Sequence, residues 1–331
     1  MVNPFESGYD LMAMSRAVSI LPNLYNRLVP IFPEVPIGQT VVGIEQLNGA
    51  LNIVRSRPRG APADKMIADK RALRYLAVPH IPVEDALLPD DYQNIRQFGS
   101  ENQAETAANI MARKLTKMKN TIDQTREHLR MGALKGIILD ADGTTMYNLY
   151  NEFGITAKTV DFALDDEDTD VDAKCLDVLD HIETNLKGET MTGVRAFVDL
   201  TFFKALISHT KVRQAFLNYQ ALNQNLASDY RRRFEFGGVI FEVYSATWTD
   251  KDATARLAIA SGEGHAFPEG TSNTFEEVIA PGNFNEAVNT LGQPYYAKQE
   301  ARKFDAGLDI WAESNPLPIC KRPAVLVKLT K

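Results

Sequence analysis

The sequence predicts an α+β fold, on three observations. Helical and strand-like periodicities are mixed along the 331 residues, without the regular alternation that builds a parallel sheet. One amphipathic run, Ser100 to about Lys135, is long enough for a single helix of about 50 Å at 1.5 Å per residue. The chain then closes on an apolar strand, Leu317 to Leu329, that needs a sheet to join.

In order along the chain, residues 8 to 28 place Leu11, Met14, Val18, Leu21, Tyr25 and Leu28 at helical spacing, interrupted by Pro22. Pro30, Pro33 and Pro36 then stop regular structure, so residues 1–37 read as an N-terminal arm that must pack on something else. Val41, Val42, Ile44, Leu47, Leu51, Ile53 and Val54 make a β-like run, and a second extends from Met66 to Val83. Between them, Pro58, Gly60 and Pro62 mark a turn, and the arginines there have no apolar neighbours with which to make a core. The expectation is a long two-stranded arm over residues 38–84, made basic by Arg55, Arg57, Arg59, Lys65, Lys70, Arg71 and Arg74. A lone hairpin is marginal in water, so an arm of this length implies a surface elsewhere for it to lie on.

Ser100 and Gln103 form a capping box for the long helix. Ala104, Ala108, Met111, Leu115, Met118, Ile122, Thr125 and Leu129 supply its apolar stripe, and Gly132 and Gly136 its stop. The small alanines and polar Thr125 suit packing on a sheet better than a coiled coil. Ile137 to Asp140 and Thr144 to Tyr150 read as short strands around Ala141-Asp142-Gly143, where Asp-Gly is a hairpin signal. The acidic stretch Asp165 to Asp172 leads into a helix with Val171, Leu176, Leu179, Ile182 and Leu186 on one side. Residues 194 to 198 read as a buried strand, 201 to 226 as helix broken near Ser208, and 234 to 246 as strand around Gly237-Gly238.

Lys and Arg number 36 against 43 Asp and Glu, and a net charge of -7 argues against coating nucleic acid by bulk attraction. Cys175 and Cys320 lack a second Cys or His at ligand spacing and read as ordinary small residues of a reduced compartment. No run approaches the roughly 18 apolar residues of a membrane span, and Glu6 and Asp10 stand where a secretory signal carries basic residues. The expectation is a soluble protein made in a cytoplasm, with no membrane partner.

The sharpest catalytic motif, Ile137 to Thr145, matches the nucleophile signature of haloacid-dehalogenase-type phosphatases. Asp140 would attack phosphorus and Asp142 act as acid and base, with Lys174, Asp165 and Asp166 nominally completing a Mg2+ site. Against it, the motif follows a long helix instead of opening a fold, no helix pattern follows Thr144, and Thr145 stands where an apolar residue is usual. A hairpin explains the same residues without partners. His80, His128, His181, His209 and His265 are scattered without metal-ligand spacing. Gly262 to His265 lacks the Lys-Ser/Thr end of a phosphate loop and reads as a turn, and Arg231 to Arg233 read as a solvated edge. Neither a catalytic set nor a metal or cofactor site is expected.

An N-terminal arm, a long basic-tipped hairpin, one long helix, a second hairpin, an α/β insertion and a return strand form an unusual order. It resembles the Hong Kong 97-type capsid fold. More specifically, the chain is similar to the lambda-type major capsid proteins over nearly its whole length, through Leu21 to Ala61, Leu129 to Ile155, Phe197 to Leu217 and Glu313 to Pro318. The resemblance implies an E-loop at 38–84 laid across the neighbouring subunit. It also implies a P-domain at 85–160 and 292–331 with spine helix 100–135, and an A-domain at 161–291 around capsomer axes. The implied function is the major capsid protein of a tailed double-stranded DNA bacteriophage, self-assembling into hexamers and pentamers in the host bacterial cytoplasm. Implied partners are a portal, a scaffolding protein, an optional decoration protein, and packaged DNA on the inner face without sequence specificity. Because the β-arm begins by about residue 38, the scaffold is expected as a separate protein. Two alternatives stand beside this reading: an encapsulin-type bacterial compartment, and the phosphatase through Asp140 and Asp142.

Overall fold

The structure is a computed structural model that describes residues 27–48, 70–91, 93, 107–213, 215–216, 233–250 and 252–331. Strands β1 (Glu34–Pro36), β2 (Val41–Asn48), β3 (Lys70–Ala77) and β4 (Ile81–Leu87) precede the long helix α1 (Ala107–Lys135). Then come β5 (Ile137–Leu139), β6 (Thr145–Asn148), the short α2 (Leu149–Phe153), β7 (Lys158–Asp161) and α3 (Val171–Leu186). They are followed by β8 (Gly193–Val198), α4 (Leu200–Ser208), β9 (Arg233–Phe236), β10 (Val239–Val243), β11 (Thr247–Thr249) and β12 (Ala255–Leu257). The chain ends through β13 (Glu263–Glu269), β14 (Phe275–Ile279), β15 (Tyr296–Ala301), β16 (Leu308–Ser314), β17 (Pro316–Cys320) and β18 (Val327–Thr330).

The largest sheet has six strands in the order β7-β18-β13-β8-β10-β9. Val194, Ala196, Phe197 and Val198 make β8 an almost continuous apolar run, as a strand covered on both faces requires. The terminal strand β18 does join a sheet, antiparallel to β13 with Val327 opposite Ala266, and so lies inside it. Phe162 meets Phe202 and Phe241 edge-on beneath the sheet, and Phe197 contacts Phe267. Asp170 caps α3 by accepting from Ala173 N, and Asp199 caps α4 by accepting from Thr201 N at 2.8 Å. The buried face of α3 is Val171, Cys175, Val178, Ile182 and Leu186, whereas Leu176, expected inside, is 56% exposed. The two stripes differ by one residue in the first turns, and the small Cys175 fits under Gly237, where a Cβ would lie 2.5 Å from the Cys175 Cβ.

Helix α1 covers two three-stranded sheets, β15-β16-β4 and β1-β14-β17. Ile110, Met118 and Ile122 pack on Leu87, Tyr295, Leu308 and Ile310, so the helix rests on sheet as the alanine-rich stripe suggested. Its seating differs in detail: Ala108 is exposed and Ile110 buried. The stretch from Ser100 to residue 106, with the capping box, lies outside the described residues. Gly132 does not end the helix. It sits one turn before the end, where a Cβ would come 2.9 Å from the backbone of Ile138, so it permits the β5–β6 hairpin to pack closely. The stop is Gly136, at φ +76.

One other expectation changes. The second β-like run is two strands: β3 ends at Ala77, and after Pro79 the chain leaves the arm as β4 to pair with β16. Proline removes the donor that would have continued the ladder. Helix α4 ends at Ser208, at the expected break: His209 turns extended (φ -60, ψ 135) before a further helical turn near Lys211, and 217–232 lie outside the described residues. Residues 234–246 form the hairpin β9–β10 through Gly237 and Gly238, both at positive φ.

Candidate assembly surfaces

The arm begins as an antiparallel pair, β2 on β3, running from Val41 opposite Ala77 to Asn48 opposite Lys70. Among the described residues no third strand joins it. Ile44 and Leu76 tie its root to the main core, while Tyr75, 69% exposed, faces solvent. Tyr147 of β6 donates its hydroxyl to the Ala77 carbonyl at 2.8 Å, bracing the root further. Of the basic residues read from the sequence, Arg55, Arg57, Arg59 and Lys65 lie outside the described residues. Lys70 and Arg71 sit on β3 opposite Asn48 and Leu47. Arg74 differs from them, because its guanidinium lies 5.2 Å over the Phe153 ring of its own chain and helps anchor the arm.

A second feature, unseen in the sequence, lies beneath α1. Lys119, Asp123, Arg126, Glu127 and Arg130 are all buried. Glu277 on β14 accepts from Arg126 Nε at 3.2 Å and Nη2 at 2.6 Å, and from Arg130 Nη2 at 2.6 Å. Burial pushes the Glu277 carboxyl up, but the two guanidiniums more than reverse this and hold it below the usual carboxylate range. Glu127 accepts from the Leu28 backbone N–H and the Tyr244 hydroxyl, each at 3.1 Å, and Asp123 accepts from the Tyr295 hydroxyl. For Glu127 and Asp123 burial wins, and both carboxyls are raised. Arg126 also reaches Glu34 of β1 at 2.5 Å.

This cluster straps residues 27–37 to the body. Arg27 pairs with Glu242 of β10, which also binds Arg195 at 2.9 Å. Phe32 packs edge-on against Phe275, β1 runs parallel to β14, and Ile37 O accepts from Gly292 N. One segment thereby touches the six-stranded sheet, α1 and the β1-β14-β17 sheet. The signal was present in the spacing of Lys119, Asp123, Arg126 and Arg130, which share the stripe of Met118, Ile122 and Leu129. Charge at helical spacing ordinarily faces water, so only the partners reveal the burial.

The phosphatase-like motif is a hairpin, as expected. Asp140 N and Thr144 O pair at 2.9 Å around a three-residue loop in which Gly143 takes φ +86. Asp142 accepts from Thr144 N and Oγ1, which holds its exposed carboxyl below the usual range. The carbonyls of Ala141 and Asp142 accept from Arg256 of β12, which also pairs with Asp250 at 3.2 Å. The loop is thus a socket for Arg256.

The histidines go to separate partners. His181 and His209 donate to the carbonyls of Ala324 and Asp166, His128 packs edge-on against Trp248, and His80 lies 2.8 Å from Asn315 Oδ1. His265, inside β13, is pulled down to about 3 by burial and by Lys135 and Lys328. Among the described residues no group of three or more His, Cys, Asp or Glu could hold a metal ion, and no helix is long and apolar enough to cross a membrane. Gly262 is a turn, with Glu263 to His265 in strand β13, and Arg233 opens the edge strand β9.

Residues 10–331 match the family described as phage major capsid protein E. The chain is 30% identical over 359 residues to the major capsid protein of Salmonella phage Felix O1, covering 99% of this chain and 97% of that one. Its fold is similar to that of a prophage protein of E. coli CFT073 described as a capsid protein, with a TM-score of 0.58 at 15% identity and 95% and 94% of the two chains covered. It is also similar to a chain of the bacteriophage PhiM1 mature capsid, with a TM-score of 0.51 at 14% identity and 90% and 84% covered. The mixed α+β fold is therefore that of Hong Kong 97-type capsid structures. With the match spanning nearly all of it, the chain belongs to the phage major capsid protein E family: it is a structural component of the virion, the major capsid protein that forms the icosahedral head of a tailed phage, and not an enzyme.

Proposed function

We propose that the subunits join as hexamers and pentamers through the arm at 38–84, acting as an E-loop that lies on the neighbouring subunit. The observation that carries this is the β2–β3 pair: a two-stranded ribbon whose root is tied to the body through Ile44 and Leu76, with no third strand among the described residues. Such a ribbon gains stability from a surface outside its own subunit. Arg55, Arg57, Arg59, Lys65, Lys70 and Arg71 give it a basic character within an acidic chain, so a neighbour's carboxylates would set its register in a head-to-tail ring. Arg74 has the different task of fixing the root on Phe153.

In this reading residues 85–160 and 292–331 are a P-domain around α1, residues 161–291 an A-domain at the capsomer axis, and residues 1–37 an N-terminal arm, of which 27–37 strap across both. A separate scaffolding protein, a portal and packaged double-stranded DNA complete the set of partners, with a decoration protein as an optional one. The family match is to phage capsid proteins, which favours this reading over a bacterial compartment.

Reversing Arg55, Arg57 and Arg59 together to Glu tests the arm. The subunit should keep its far-ultraviolet circular dichroism and lose the ability to form shells, viewed by electron microscopy after expression with the scaffold. Normal shells from the triple variant would sink the proposal.

A further inference from the structure

The arm leaves the body at a corner, Pro79-His80, where β3 gives way to β4. His80 faces Asn315, the residue after the β16 end at Ser314, which stands opposite Ile81. Its ring Nδ1 lies 2.8 Å from Asn315 Oδ1. Asn315 Nδ2 donates to the Pro281 carbonyl at 2.9 Å, and a carbonyl can only accept, so the amide oxygen is the atom that faces the ring. The neutral imidazole therefore carries its proton on Nδ1. Nε2 is left as the site for a second proton, and it lies 3.8 Å from Oε2 of Glu313.

Glu313 is buried and accepts from Asn283 N at 2.6 Å and from Trp311 Nε1 at 2.9 Å. Among the described residues His80 is the one side chain able to carry positive charge within 4 Å of it. The other charged groups on this face of the sheet stand apart from the ring: Glu84 is opposite Trp311, Lys298 pairs with Glu286 at 2.8 Å, and Asp309 pairs with Arg302 at 2.6 Å. With Nε2 bare, a lone pair faces a buried carboxylate; with Nε2 protonated, the same geometry is an ion pair. The seat beneath is firm. Asn315 O accepts from Ala280 N, and Gly292 N donates to Ile37 O near the arm's root, each at 2.9 Å. We propose that His80 is a proton-operated latch at the arm's corner. Protonated, it clamps the corner onto Glu313 and fixes the direction in which the arm leaves the body; neutral, it frees the corner to move. The latch rests on the reading of 38–84 as the assembly arm, and it makes the arm's setting depend on pH across the histidine range.

Trp311 and His80 both address Oε2 of Glu313, so the indole reports the latch. The chain has two tryptophans, and in full-chain Trp248→Phe subunits Trp311 is the sole one. Its emission in dispersed subunits should change in one step between about pH 8 and about pH 5, and His80→Gln in that background should abolish the step. Hydrogen exchange over residues 74–82, corrected for the intrinsic effect of pH, should be slower by about threefold or more at the lower pH in the wild-type chain. It should not depend on pH in His80→Gln, and should stay slow at both pH values in His80→Lys, which keeps a cation beside Glu313. An unchanged emission, or the same step without His80, would overturn the latch. Emission that responds while exchange at the corner does not would overturn its hold on the arm. Exchange in His80→Lys as fast as in His80→Gln would overturn the role of charge. All these readouts use dispersed subunits, so they succeed or fail independently of the arginine reversal that tests the arm itself.

Discussion

Replacing Glu277 with Gln should be among the most damaging conservative changes in the subunit. The side chain is 0% exposed, and both carboxylate oxygens face guanidinium donors, one from Arg126 Nε and one shared by Arg126 and Arg130 at 2.6 Å each. An amide offers one oxygen, so its NH2 must point at an N–H group, and two buried cations lose their shared counter-charge. Removing one partner of a buried ion pair costs about 3–5 kcal/mol. Glu34 touches the same Arg126, but its side chain is 38% exposed, and Glu34→Gln should cost about 1 kcal/mol or less. Urea unfolding of dispersed subunits, followed by circular dichroism, measures both. The pH profile adds a second readout. Glu277 titrates below its ordinary value, so its contribution is present above about pH 4.5 and is lost as pH falls through its folded value. Glu127 and Asp123 are raised by burial, so they cost stability at neutral pH, and that cost is relieved as pH falls towards the ordinary carboxylate range. Wild-type subunits should therefore gain slightly on mild acidification and lose stability below it, and the Glu277→Gln protein should lack much of the lower loss. Equal losses for the two variants, or an unchanged acid limb, would refute the view that this clamp holds α1 on its sheets.

Asp142→Asn should cost well under about 1 kcal/mol in the same assay, since an amide oxygen can accept from Thr144 and the carbonyl bound by Arg256 is untouched. Gly143→Ala should cost about 1–3 kcal/mol, because φ is +86 and the new Cβ would stand 2.4 Å from Arg256 Nη1. On α3, Ile182→Ala should cost about 2–5 kcal/mol and Leu176→Ala under about 0.5 kcal/mol; a Leu176→Ala cost as large as that of Ile182→Ala would restore the stripe read from the sequence. Gly132→Ala should destabilise by about 1–3 kcal/mol, detected as a lowered melting temperature, because the new methyl collides with backbone at Ile138.

Much of the local architecture was legible along the chain. The Asp-Gly hairpin, the buried strand at 194 to 198, the acidic stretch leading into the helix at Val171 and the sheet-seeking terminal strand each follow from rules that act within a few residues. The long helix was equally plain, as was the mismatch of its hairpin with phosphatase chemistry. The arm could be anticipated because two β-like runs flanked a polar turn, yet its second run held two strands, and only the pairing of β4 with β16 separates them.

Sequence alone therefore determined the class of fold, the order of its parts and the family resemblance, because periodicity, turn chemistry and capping are properties of neighbours in the chain. Tertiary structure decided which charges are buried. Arg126 and Glu277 stand 151 residues apart, and Glu127 and Leu28 are separated by 99, so no local pattern can tell a solvated helix face from a clamp. The same holds in reverse for Phe304, which composition would place in a core and which the tip of the β15–β16 hairpin leaves bare. Burial belongs to pairs of distant segments, and only the folded chain brings those pairs together.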